Sequence, residues 1–135
     1  MVKKPVLQAL VLADHIYVDE RTKKNIIAGT FSRLWTNKFP AMFGRTTGAY
    51  ICLTEVQGKV PISLRYTDLK TNEVLLSTEA FTLQSGNPLA THELIVEVPP
   101  FPMPHAGVYV FEVYAGAEAI GSLRLTVGKV EQGKQ

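Results

Sequence analysis

At 135 residues the chain is the size of one ordinary domain, enough to bury roughly two-thirds of its unfolded surface in one core and too short for a second. With 46% hydrophobic and 19% charged residues it is not a disordered chain, and 14 basic against 12 acidic side chains leave a net charge of +2, too even a balance for the broad positive field of a nonspecific nucleic-acid binder. The single cysteine, Cys52, excludes an intramolecular disulfide and with it a stapled secreted scaffold; it reads as a small buried apolar residue.

Turn chemistry divides the sequence at intervals that suit short strands. Residues 7–18 form the first. Lys3 and Lys4 ahead of an apolar stretch imitate a signal peptide, but Pro5 and Gln8 interrupt it and no small-residue cleavage site follows, so the segment reads as the first strand of a cytoplasmic protein. No apolar run approaches the roughly 20 residues that a membrane helix needs. Polar residues 19–25 turn this strand into residues 26–35, a long hairpin with a charged tip. Residues 36–48, which contain Lys38, Phe39 and Pro40, form an irregular crossing between sheets, and residues 49–56 the third strand.

After Gln57, Gly58 and Lys59, residues 60–67 alternate, with Val60, Ile62, Leu64 and Tyr66 on the buried face. Pro61 cannot donate to a ladder and belongs at a strand start or edge. Residues 68–73 turn into a fifth strand, residues 74–83, whose drifting alternation predicts a bulge. Residues 91–98 follow, with Leu94, Val96 and Val98 inward. Pro99, Pro100, Pro102 and Pro104 forbid continued ladder pairing and stiffen an extended crossing, with Phe101 and Met103 tucked into the edge of the core. Residues 108–115 and 120–127 close the set as a hairpin with Tyr109, Phe111, Val113, Leu123, Leu125 and Val127 inward. Eight antiparallel strands in two packed sheets predict an all-β sandwich of immunoglobulin-like or related topology over residues 1–128, followed by a flexible tail at residues 129–135.

Residues able to do chemistry are scattered. His15, His92 and His105 have no partner at metal-ligand spacing. Asp14 and His15 are the minimum parts of a general base, but neighbours on a strand point to opposite faces, so Asp14 reads as a surface carboxylate and His15 as half buried. No serine stands in a nucleophile-elbow context, and the glycines lack phosphate-loop spacing. Asp19 with Glu20, and Asp68 with Glu73, could begin a calcium site, yet Lys23, Lys24 and Lys70 beside them favour solvated turns. Catalytic, cofactor and metal residues are therefore all assigned as none. Partner binding has more support: Trp35, Phe39, Met42 and Phe43 gather in the irregular crossing, and interfaces enrich aromatic residues and methionine. The alternative for these four is that they plug the open end of the sandwich.

The run from Ala9 to Tyr17, the segment Ile26 to Phe31, the Phe39-Pro40 pair and the stretch from Pro100 to Val127 resemble a family of uncharacterised bacterial proteins of this length. That resemblance implies an all-β sandwich and carries no activity, cofactor or catalytic residue. The expectation is a non-enzymatic, cytoplasmic module for protein–protein interaction or assembly that contacts neither nucleic acid nor membrane, with a carbohydrate- or small-ligand-binding sandwich as the alternative. Homo-oligomerisation is also anticipated, through exposed edges and a mixed apolar face at Val108, Val110 and Tyr114.

Overall fold

The computed structural model describes residues 4–130. Twelve strands form, in place of the eight expected: β1 (Val6–Val18), β2 (Asn25–Thr30), β3 (Arg33–Thr36), β4 (Ala41–Phe43), β5 (Thr47–Thr54), β6 (Gly58–Asp68), β7 (Glu73–Ser77), β8 (Phe81–Ser85), β9 (His92–Val98), β10 (Phe101–Met103), β11 (Gly107–Ala115) and β12 (Glu118–Lys129). The additional strands come from runs that change neighbours part-way. Residues 26–35 split because β2 stays with β1 while β3 crosses to the other sheet. In residues 74–83 the expected bulge becomes a break: β7 and β8 each pair with β6 along different parts of its length.

Two sheets face each other. One has the order β2-β1-β5-β9; the other runs β3-β12-β11-β6-β7, with β8 also on β6. Strands β1-β5-β9 opposite β12-β11-β6-β7 reproduce the A-B-E and G-F-C-C′ arrangement of an immunoglobulin sandwich. Not every pairing is antiparallel as expected: β3 lies parallel to β12, with Trp35 in register with Gly128. Such a pairing needs a long crossover, which the whole chain between β3 and β12 supplies. Strand β12 continues through Lys129, and the Val130 N–H donates to the Thr36 carbonyl at 2.8 Å, so the ladder holds residues assigned to the tail. Residues 131–135 lie outside the described residues.

The alternating residues fill the core as their spacing dictates. Val60, Ile62, Leu64 and Tyr66 of β6, and Tyr109, Phe111 and Val113 of β11, are all buried. Aromatic rings form a continuous run through it: Phe31 on Phe43, Phe43 on Phe101, Phe101 on Tyr66 and Phe111, Tyr66 on Tyr109, and Tyr109 on His105, at centroid separations of 4.8 to 5.6 Å. Each such pair adds about 0.5–1.5 kcal/mol beyond the area it buries. Phe101 and Met103 are buried as expected, but the prolines do not abolish pairing. Residues Phe101–Met103 form a short antiparallel ladder with β4, in which Pro102 faces Met42. One three-residue edge can tolerate the missing donor.

The β1–β2 hairpin folds back over the outer face of its own sheet. Ala13 and Gly48, both on that face, are buried; the Ile16 side chain lies on Gly48, and Asn25 near the hairpin tip donates to Glu93 of β9 at 3.2 Å. A β-carbon at position 48 would meet the end of the Ile16 side chain at 3.0 Å, so a larger residue there requires Ile16 to shift. Tyr50 also donates to Glu93. The mixed apolar face anticipated for self-association is largely occupied. Val110 is only 7% exposed, and the Arg65 guanidinium lies 3.9 Å above the ring of Tyr114, which removes both as free apolar surface.

Candidate functional site

Strands β3 and β4 follow one another with only Asn37–Pro40 between them, including a cis Phe39–Pro40 peptide. They do not pair: β3 bonds to β12 and β4 to β10. The gap between them is a cleft of about 340 Å³ lined by Leu34, Trp35, Ala41, Met42, Phe43 and Arg45, with Met103 beneath. That is near the lower bound of ligand-sized pockets, about 300 Å³. The lining comes from β3, from β4 and the residues that follow it, and from β10.

Trp35 owes its position to Gly128. A β-carbon at 128 would stand 2.2 Å from Cζ3 of the indole, so the six-membered ring rests directly on glycine backbone. Trp35 as a whole is nonetheless 64% exposed, and Met42 is 60% exposed. Both large apolar side chains are thus left in contact with solvent. The floor is firmer, since Phe43 stacks on Phe31 and Phe101. Of the four residues singled out in the sequence, Trp35, Met42 and Phe43 meet here, whereas Phe39 packs against the core and is not among the lining.

Charge gives the surface a sign. Arg33, Lys38, Arg45 and Lys129 are all exposed around β3 and β4, with Lys129 opposite Thr36 in the ladder. Asp14 is ion-paired with Arg45 at 3.0 Å, and Arg45 also lies 5.4 Å from the Phe43 ring centre. A signal in the sequence could have revealed this: residues 21–54 contain Arg21, Lys23, Lys24, Arg33, Lys38 and Arg45 and no carboxylate. The even overall charge conceals it.

The histidines have other roles. His15 is exposed and stacks on Tyr17 at 5.7 Å, while Asp14 turns to Arg45; both residues border one shallow pocket with Thr46, Thr47 and Glu97, but no hydrogen bond joins them. Asp68, far from being a solvated turn carboxylate, is 2% exposed and lies 2.6 Å from Nε2 of His105. Nδ1 of the same ring is 2.8 Å from the Ala106 carbonyl oxygen. A carbonyl and a carboxylate can only accept, so the ring that satisfies both is the doubly protonated imidazolium. The Ala106 carbonyl and the Asp68 carboxylate hold its pKa above the ordinary 6.5, against the effect of burial. Burial works to raise the pKa of Asp68, but hydrogen bonds from His105 and the Lys70 N–H bring it below the ordinary 3.8. An imidazolium with both N–H groups engaged has no lone pair for a substrate, so in this geometry His105 is a clasp and not a general base. Tyr109 completes it: its hydroxyl donates to the His105 carbonyl at 2.6 Å and accepts the His105 N–H at 3.2 Å. This is the tyrosine corner found where immunoglobulin-like strands enter the sheet.

With this geometry established, residues 8–128 match the sequence model of a family of unknown function, DUF6941. The chain belongs to that family. No curated protein matches it. Among solved structures it is similar to the alkylpurine DNA glycosylase AlkC of Pseudomonas fluorescens, bound to DNA containing an abasic-site analogue, with 13% identity and a TM-score of 0.54 over 91% of this chain and 30% of that one. An immunoglobulin-like protein from Pseudomonas aeruginosa gives 14% identity and a TM-score of 0.40 over 93% and 98% of the two chains. A β-glucosidase from Listeria innocua in complex with isofagomine gives 12% identity and 0.44 over 89% and 16%. The chain thus spans less than a third of the glycosylase. At these identities the likeness is one of fold, which enzymes and binding proteins share without sharing function.

Proposed function

We propose that the protein is a non-enzymatic binding module of the cytoplasm, and that it holds a protein partner in the cleft between β3 and β4. The observation that carries this reading is Trp35, seated on Gly128 and 64% exposed beside an equally open Met42. Tryptophan contributes to protein interfaces out of proportion to its frequency, above all where a firm floor and a rim surround it. Phe43 supplies the floor, and Arg33, Lys38 and Arg45 the rim. The cytoplasmic assignment is supported by a lone cysteine, in keeping with a reducing compartment.

A photo-crosslinking phenylalanine derivative in place of Met42, irradiated in the native cytosol, is expected to yield a discrete protein adduct. Trp35→Ala should reduce its yield at least tenfold while leaving the circular dichroism and the unfolding midpoint nearly unchanged, since the lost side chain is mostly solvated. Gly128→Ala should act the same way by displacing the indole without removing it. A flat aromatic face can also stack on a sugar, so glycan-array binding that depends on Trp35, with no protein adduct, would replace this reading with the carbohydrate one. No tyrosine lines the cleft among the described residues, so the aromatic faces open to a sugar there are those of Trp35 and Phe43. A homo-oligomeric form would show as a doubled mass in light scattering, with adducts between copies.

A further inference from the structure

The cleft has a second property, independent of its apolar lining: the two strands that contribute most of it, β3 and β4, each have one ladder partner among the described residues and so each keep an unpaired edge. The Thr126 N–H donates to the Ser32 carbonyl at 2.9 Å and the Val130 N–H to the Thr36 carbonyl at 2.8 Å. Backbone groups alternate sides along a strand, so Ser32, Leu34 and Thr36 turn theirs to β12, whereas Arg33 and Trp35 turn theirs to the open side. Across the cleft is β4, which among the described residues has a ladder only with β10. An open edge is a template for one more strand unless something blunts it. Prolines, which would do so, are absent from Arg33–Thr36 and Ala41–Phe43.

We propose that β3 receives an extended, acidic segment of the partner protein as an added strand, laid in the cleft between β3 and β4. This rests on the binding-module reading above and specifies its ligand. Main-chain hydrogen bonds to Arg33 and Trp35 supply the docking geometry, and an apolar side chain of the segment lies between Trp35 and Met42. Charge selects the sign of the remaining side chains. Arg33, Lys38, Arg45 and Lys129 surround the slot, and Asp14, which reaches Arg45 there, is paired with it. A basic segment would be repelled. The same charges disfavour a second copy of this chain at the edge, because β3 against β3 would bring Arg33 and Lys38 against their like.

The test uses the full chain and three synthetic heptapeptides: one alternating glutamate with isoleucine, one alternating lysine with isoleucine, and the glutamate peptide N-methylated at every second amide. Trp35 is the only tryptophan, so its emission reports the cleft directly. The glutamate peptide is expected to shift that emission to the blue and to slow amide exchange at Arg33 and Trp35, with affinity at least tenfold higher than that of either control. An Arg33→Glu/Lys38→Glu variant, changed only at exposed positions, should reverse the preference between the glutamate and lysine peptides. Equal binding of the N-methylated peptide would overturn strand addition while leaving an apolar Trp35 site in place. Preference for the lysine peptide would overturn the charge assignment. No response to any peptide would overturn the proposal, and Trp35-dependent crosslinking from position 42 would then separately decide whether the cleft binds protein.

Discussion

Replacing His105 with alanine is expected to lower the unfolding free energy by about 3–5 kcal/mol near pH 5, because it strips its partner from a buried carboxylate. Asp68 is 2% exposed, and without His105 its Oδ1 retains the Lys70 N–H at 2.9 Å while Oδ2 loses its 2.6 Å contact. The magnitude depends on pH in a direction set by the two shifts. The pKa of His105 is raised by folding, so its contribution is complete below its ordinary 6.5 and is lost as pH rises through the elevated folded value. That of Asp68 is lowered, so its contribution is present above its ordinary 3.8 and is lost as pH falls through the depressed folded value. The pair is therefore fully effective between about pH 3.8 and 6.5. Urea unfolding of the two proteins across pH 4 to 9 should give curves that lie furthest apart in that window and converge on the alkaline side. A constant separation through pH 9 would mean that His105 stabilises by packing alone.

Phe101→Ala should cost about 3–5 kcal/mol as well, through the cavity it leaves. Its ring is fully buried and touches Phe43, Tyr66 and Phe111. The functional effect should exceed the global one, because among the described residues β10 is the only ladder partner of β4 and Phe43 stacks between Phe101 and Phe31. Loss of Phe101 loosens the floor and one wall of the cleft before it threatens the sheets. Crosslinking from position 42 should fall at temperatures where the far-ultraviolet circular dichroism is still native. If the two signals disappear together, β4 and β10 belong to the cooperative core.

The sandwich was legible because period-two alternation is a property of the strand itself. Val60, Ile62, Leu64 and Tyr66 face the core in the structure, as their spacing alone requires, and the same holds for Tyr109, Phe111 and Val113. The breaks were not legible. Nothing local in residues 26–35 announces that Ile27 remains with Ile16 while Leu34 joins Val127, since both are apolar residues of good strand propensity. Which neighbour each takes depends on where β12 lies, almost a hundred residues further along. The short β10 ladder likewise contradicts the local meaning of its prolines, and only β4 opposite makes it worthwhile.

For the candidate site, the sequence by itself determined the inventory: one tryptophan among Phe39, Met42 and Phe43, in a segment without a carboxylate. Tertiary structure decided which of these residues share a surface, because that depends on contacts between strands distant in the chain. Gly128 seats Trp35, Phe101 supports Phe43, and Phe39 packs half-buried against the core, outside the lining of the cleft. It also turned Asp68, an ordinary turn residue by its local sequence, into a buried ion held by His105. Burial and pairing are long-range quantities, fixed by how the sheets pack, and a local pattern of residue types does not contain them.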